Sequence, residues 1–258
     1  MVFLISLTLV ALGLCGCQRV DLSDVTGSLG DTTGKVSADP RRDLDSSRER
    51  FRANPKDVDA ALQYGGALRA SGQRAQAVAV LEQAAIAIPN NKALLAGYGR
   101  ALADNGNFQQ AFDVLSRAHD PDDPDWRILS AQGAVLDQLD RHDEARQYYA
   151  SALKIAPEEA SVLSNLGLSY MLTRELPKAE EVLRQAYASP RAGARVRQNL
   201  GLVVGLQGRF AEAEAIVKSD LPPDQAAANV AYLKEMLNRN DAPRGAKRTP
   251  VASLNQPD

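Results

Sequence analysis

The chain has 258 residues, 45% of them hydrophobic and 24% charged, the balance of a globular protein able to bury a core rather than of a disordered or fibrous one. Its 30 Lys and Arg against 32 Asp and Glu give a formal charge of -2, which excludes the basic footprint that a nucleic-acid partner requires. Aromatic residues are only 5%, so the core is expected to come from Ala, Leu and Val, a composition suited to closely packed helices.

Residues 1–16, dominated by the uncharged apolar run from Met1 to Leu14, predict a signal peptide too short to span a bilayer comfortably. The tetrapeptide Leu14-Cys15-Gly16-Cys17 resembles a bacterial lipobox, which implies a diacylglyceryl group on the Cys17 thiol and cleavage in front of it. The Lys or Arg that normally opens such a signal is missing. No cysteine follows Cys17, so neither a disulfide framework nor thiol chemistry is expected in the processed chain. Gln18 next to Cys17, in place of Asp, follows the lipoprotein sorting pattern for the outer membrane, so a periplasm-facing position on the outer membrane of a Gram-negative cell is expected. Residues 17–43 are rich in Asp, Ser, Thr and Gly without a sustained apolar period. They read as a lipidated flexible tether with a reach of roughly 25–30 Å.

Helical spacing of apolar residues begins next, with residues 44–57 read as an N-terminal capping helix. Over residues 58–223 the chain repeats itself in steps of 34. Gly65, Gly99, Gly133, Gly167 and Gly201 hold one phase, and Ala77, Ala111, Ala145, Ala179 and Ala213 hold a second. A third row, Ala84, Ala118, Ala152 and Ala186, breaks at Asp220. Such rows resemble those of the tetratricopeptide repeat, and that resemblance implies pairs of antiparallel helices, A and B, whose backbones approach closely, with Gly201 facing Ala213. Gly72, Gly106 and Gly208 fall at the turn from A to B, where a positive φ suits glycine, while Asp140 and Arg174 occupy that place in the third and fourth units. Pro89, Pro157 and Pro190 stop helix B. Gly205 is not accounted for by packing, since it falls at a helix A position that the resemblance turns toward a concave groove.

Residues 224–239 read as a C-terminal capping helix with Ala228, Tyr232 and Met236 on its apolar face, and residues 240–258 as a disordered polar tail. The predicted fold is therefore all-α: a solenoid of about five helix-turn-helix repeats with capping helices at both ends.

Residues able to carry catalysis are scarce. His119 and His142 have no cysteine or second histidine at a ligand spacing, and both are expected to be plain surface or helix-end histidines. No phosphate loop or nucleophile elbow is present, and the acidic run "DPDDPDW", residues 120–126, is expected to cap a helix and space two repeats. The chain reads as a non-enzyme with no metal site, no cofactor and no small-molecule substrate.

The 34-residue rows, with stretches such as "YGRALADNGNFQQAFDVLSRA", resemble the tetratricopeptide repeat. That resemblance implies a concave groove lined by the A helices, in which peptides of partner proteins lie. It assigns Arg69, Arg100, Arg127 and Asp137 to a polar end of the groove, and Leu168, Met171, Leu172, Leu202 and Leu206 to an apolar end. Asn165 and Asn199 fall where related proteins hold a peptide backbone by a side-chain amide; the alternative is that they only pack. More narrowly, residues 197–237, with Gln-Asn-Leu, Leu-Gln-Gly-Arg-Phe, a Pro-Pro turn and Ala-Asn-Val-Ala-Tyr-Leu in that order, resemble the TadD family of tetratricopeptide lipoproteins from the tight-adherence (Flp) pilus system. This implies a pilotin, a scaffold anchored by Cys17 that helps the pilus secretin, or other tight-adherence components, to localise and assemble. A periplasmic adaptor lipoprotein that recruits cell-wall hydrolases is the other assignment left open.

Overall fold

The computed structural model describes residues 40–220 and 222–241; the expected signal peptide, Cys17 and most of the expected tether and tail lie outside them. Among the described residues there are twelve helices and no strand. Helix α1 (Pro40–Ala53) precedes five A/B hairpins. These are α2 (Val58–Ala70) with α3 (Arg74–Ala87), α4 (Lys92–Asp104) with α5 (Phe108–Ala118), and α6 (Trp126–Gln138) with α7 (His142–Ile155). The fourth and fifth are α8 (Ala160–Leu172) with α9 (Leu176–Ala188), and α10 (Ala194–Leu206) with α11 (Phe210–Val217), after which α12 (Pro223–Asp241) closes the stack. Each helix makes its substantial contacts with the next helix along the chain or the next but one. None of the described helices is long and apolar enough to cross a membrane.

The two kinds of helix start differently. The A helices of the first four repeats are capped by side chains: Asp57 accepts from the Ala60 N–H, Asn91 from Leu94, Asp125 from Arg127 and Glu159 from Ser161. The B helices have no side-chain cap and follow a tight turn instead. In all five turns one residue has positive φ: Gly72 at 74°, Gly106 at 83°, Asp140 at 57°, Arg174 at 62° and Gly208 at 82°. The residue after it donates its N–H to a carbonyl five positions back, as Gln73 does to Leu68 and Glu175 to Tyr170, both at 2.9 Å. This closure satisfies carbonyls at the end of helix A and requires the left-handed conformation whatever residue stands there.

Arg174 is exposed and bears that conformation without a glycine. Replacing it by glycine is expected to raise stability by about 1 kcal/mol, since the left-handed region is costly for a residue with a Cβ. Urea melts of Arg174→Gly against the parent check this, and a lower midpoint would show that the Arg174 side chain, not its backbone, matters at the turn.

The glycine row is a row of notches. A Cβ on Gly65 would lie 2.6 Å from Leu81 Cγ, on Gly99 2.7 Å from Leu115 Cγ, and on Gly167 2.6 Å from Leu183 Cγ. On Gly133 it would meet the Tyr149 ring at 2.7 Å, and on Gly201 the Val217 Cγ1 at 2.6 Å. Gly201 lies against Ala213, whose backbone oxygen is 3.4 Å from the same point, while the side chain that fills the notch is Val217. Ala77, Ala111, Ala145, Ala179 and Ala213 are buried beside these knobs and let helix B lie close to helix A. The break of the third alanine row has its own cause. Helix α11 ends at Val217, and Asp220 beyond it accepts from Arg197 Nε at 2.6 Å, a contact that holds the Asp220 carboxyl below its ordinary value.

Two expectations are corrected at the C-terminal end. Gly205 does have a packing reason: Leu233 of α12 sits over it, 2.5 Å from where a Cβ would be. The face of α12 that packs inward therefore carries Ala226, Val230 and Leu233, while Ala228, Tyr232 and Met236 are exposed.

Candidate functional site

The A helices of the first three repeats enclose a cleft of about 400 Å³. Arg69 near the end of α2, Arg100 on α4 and Arg127 at the start of α6 all line it, so three residues placed far apart in the sequence come together. Arg69 donates from Nε to Asp104 Oδ2 at 2.6 Å, with both side chains mostly buried. The Nη2 of Arg69 is buried with no hydrogen-bond partner. Arg127 stacks over Trp126 with its guanidinium 4.5 Å from the ring centroid and lies 3.6 Å from Asp125, the residue that caps α6. At the same rim Lys92 pairs with Asp120, so the acidic run caps a helix and answers the cations beside it. Among the described residues no group of three or more His, Cys, Asp and Glu side chains is gathered that could hold a metal.

Arg195, exposed at the start of α10, is not among the residues that line this cleft. Crowding by surrounding protein lowers its pKa, and the carboxylate of Asp104 on α4 opposes that shift.

The residues expected at the apolar end of the groove differ in how far they are covered. Leu168 is buried, and Met171 packs on the core around Leu183 and Leu200. Leu172, Leu202 and Leu206 are half-buried. Asn165 donates from Nδ2 to Ser130 Oγ at 3.2 Å, and Asn199 to Ser164 Oγ at 2.9 Å. Each of these bonds joins helix A of one repeat to helix A of the repeat before. Asn199 is 5% exposed, so the expectation that it stands open to a ligand is corrected: its amide fastens neighbouring repeats.

Asp137 is also not a groove residue. It is 5% exposed at the end of α6 and accepts three hydrogen bonds, from Tyr149 Oη at 2.9 Å, Ser169 Oγ at 2.8 Å and His142 Nδ1 at 2.8 Å. His142 is thus a partner of a buried carboxylate rather than a free surface histidine. The arrangement follows from one exception in the knob row. Where other repeats use Leu or Val, the third uses Tyr149, whose hydroxyl needs a buried acceptor.

Burial pushes the Asp137 carboxyl above its ordinary value of 3.8, against the opposing pull of His142, Ser169 and Tyr149. The folded state therefore holds this proton more tightly than the unfolded chain does. As pH falls from the raised folded pKa to 3.8, the wild type is expected to gain stability relative to Asp137→Asn. Carboxylates held low by arginines, such as Glu212 and Asp220, are common to both proteins and cancel in the difference. Thermal melts of the pair across the acid range test this, and a pH-independent gap would show that Asp137 does not titrate as its burial requires.

The stacked hairpins can now be set beside known proteins. Residues 68–133 and residues 130–195 each match the tetratricopeptide repeat family. A TPR repeat-containing protein of Dictyostelium discoideum is 28% identical over 120 residues, a stretch covering 44% of this chain and 44% of that protein. The chain thus spans less than half the length of that relative. Among solved structures, a tetratricopeptide repeat protein from Parabacteroides merdae superposes with a TM-score of 0.64 at 13% identity, covering 77% of each chain. The thermophilic TPR protein TTC0263 of Thermus thermophilus gives a TM-score of 0.62 at 21% identity, covering 69% of this chain and all of that one. Likeness at these identities concerns the fold. Repeats of this kind bind protein partners and serve as scaffolds, and the adjoining matches show that residues 68–195, inside the stack of five hairpins, are built of tetratricopeptide repeats.

Proposed function

We propose that this chain is an outer-membrane lipoprotein that acts without catalysis, holding a segment of an envelope protein in its concave face so that a tight-adherence pilus secretin localises and multimerises. The observation that carries this reading is the order of residues 197–237, Gln-Asn-Leu through Leu-Gln-Gly-Arg-Phe to Ala-Asn-Val-Ala-Tyr-Leu, in a chain that also carries the Leu14-Cys15-Gly16-Cys17 tetrapeptide. In this mechanism acyl chains on Cys17 hold the solenoid at the membrane. Each buried CH₂ contributes about 0.8 kcal/mol, so two or three chains anchor it stably where a single chain would not. Tethering raises the effective concentration of the solenoid near the secretin, and a weak contact in the cleft then suffices.

The test is the amount of detergent-resistant secretin multimer in outer-membrane fractions from cells carrying wild type, a deletion, or Cys17→Ser. A fall in both mutants supports anchoring and assembly as one mechanism. Unchanged multimers in both would remove the pilotin reading.

A further inference from the structure

Among the B helices, α3 presents an outer face unlike those that follow. Ala75, Gln76, Ala79, Gln83, Ile86 and Ala87 recur along it at helical spacing, and all are exposed. Glu82, the one charge on this face, accepts from the Tyr98 hydroxyl at 2.9 Å and is engaged within its own chain. The outer faces of the next three B helices are charged, with Asp113 and Arg117 on α5, Asp143 and Lys154 on α7, and Glu181 and Arg184 on α9 all exposed. Ile86 is 73% exposed, more than any other large apolar side chain among the described residues, and it stands where the third repeat has Lys154. A lone exposed isoleucine is ordinary, but one that completes a face without free charge marks a surface that another surface covers.

The face is graded along its length, and the grading says what covers it. Its first half is small, with Ala75 and Ala79, and its second half is larger, with Gln83 and Ile86. Turned end for end, it fits itself. With two α3 helices antiparallel and centred at the level of Leu81, Ile86 of each copy falls between Ala75 and Ala79 of the other, and Gln83 falls opposite Ala79. The alanines let the two backbones approach closely. A parallel pair would set Ile86 against Ile86 and hold the small ends apart. Charge favours the same arrangement: α3 has no acidic residue in its first turn and begins with Arg74, a cation at the positive end of its own helix. Antiparallel pairing brings that end beside the C-terminal end of the other α3, where the partial charge is negative.

We propose that two copies of this chain pair through the outer faces of antiparallel α3 helices, about a two-fold axis that makes every contact occur twice. The proposal goes beyond the pilotin reading and does not depend on it.

One helix face from each copy makes a small interface, so the dimer is expected to dissociate on dilution. Sedimentation equilibrium of the full chain in density-matched detergent should show a mass that rises from one copy to two as the concentration approaches about 1 mM. Ile86→Lys is expected to weaken this association about a hundredfold, because both copies lose a covered isoleucine. Its melting point as a single chain should match that of wild type, since the side chain is largely open there. Tyr187→Lys, at an exposed apolar residue of α9 outside the face, should pair as wild type does. A wild type that stays single throughout, an Ile86→Lys variant that pairs undiminished, or equal weakening by Tyr187→Lys overturns the proposal. Cross-linking reads the orientation. Wild type, with only Cys15 and Cys17, sets the background. Ala79→Cys and Gln83→Cys, mixed and oxidised, are expected to give disulfide-linked dimers well above either variant alone. Stronger linking of Ala79→Cys to itself than to Gln83→Cys would rule out the antiparallel pair and the proposal with it.

Discussion

Replacing Tyr149 by alanine is expected to destabilise the solenoid by about 4 kcal/mol, the middle of the range for removing a buried ring. Tyr149 is 1% exposed and fills the notch at Gly133, and burial raises the pKa of its hydroxyl far above the ordinary value, so it is held as a neutral donor to Asp137. Alanine leaves a cavity and also removes a donor from a buried carboxylate, and the second loss adds to the first. Tyr149→Phe separates the two. It keeps the ring and is expected to cost about 1–2 kcal/mol, the penalty for leaving one buried acceptor short of a partner. Urea denaturation of the three proteins measures both. If Tyr149→Phe proves as damaging as Tyr149→Ala, the hydrogen bond and not the ring holds the third hairpin together. If it proves neutral, His142 and Ser169 satisfy Asp137 without the hydroxyl.

Gly167→Ala is expected to cost about 3 kcal/mol, a large effect for one methyl group. The new Cβ would stand 2.6 Å from Leu183 Cγ and just over 3 Å from both of its methyl carbons, and Leu183 is fully buried with no space to retreat into. Either helix α9 moves away from α8 or Leu183 leaves its rotamer. A double-mutant cycle with Leu183→Ala decides whether this contact is the cause. Each single change should destabilise, and the pair should cost at least ~1 kcal/mol less than the sum, because the added methyl occupies the cavity that the leucine vacates. Additive losses would mean that the glycine matters for the backbone of α8 rather than for the notch.

The notches were legible in the sequence and their occupants were not. Glycine recurs as glycine because nothing larger fits, so its row shows as an identity repeated every 34 residues. The knobs obey the same period, but they are Leu81, Leu115, Tyr149, Leu183 and Val217, alike in filling space and different in name. The turn row lay between these cases. Asp140 and Arg174 shared a position with three glycines, and the structure gives all five the same sign of φ.

Asp137 illustrates what a one-dimensional reading loses. On its own helix it is a charged residue at a groove-facing phase, and only the Tyr149 hydroxyl on the next helix makes it an interior acceptor. Helix α12 shows the same limit. It offers Ala228, Tyr232 and Met236 at one spacing and Ala226, Val230 and Leu233 at another, and the vacant notch at Gly205 selects the second set. At the cleft, the three arginines were legible as cations on A helices. That Gly66 faces open space was not, because a helical glycine looks the same in sequence whether it is crowded or bare.

Because every helix rests mainly on its immediate predecessors, the order in which the hairpins are stacked is also the order in which a ribosome or a translocation channel releases them. Each new pair meets a docking face that is already built, and no hairpin has to wait for a distant partner to close its core. Such a topology favours rapid, stepwise acquisition of structure from the amino end. The last surface to be covered is the notch at Gly205, so a chain arrested before Leu233 emerges would display an unfinished end, competent to recruit a neighbour in place of its own terminal helix.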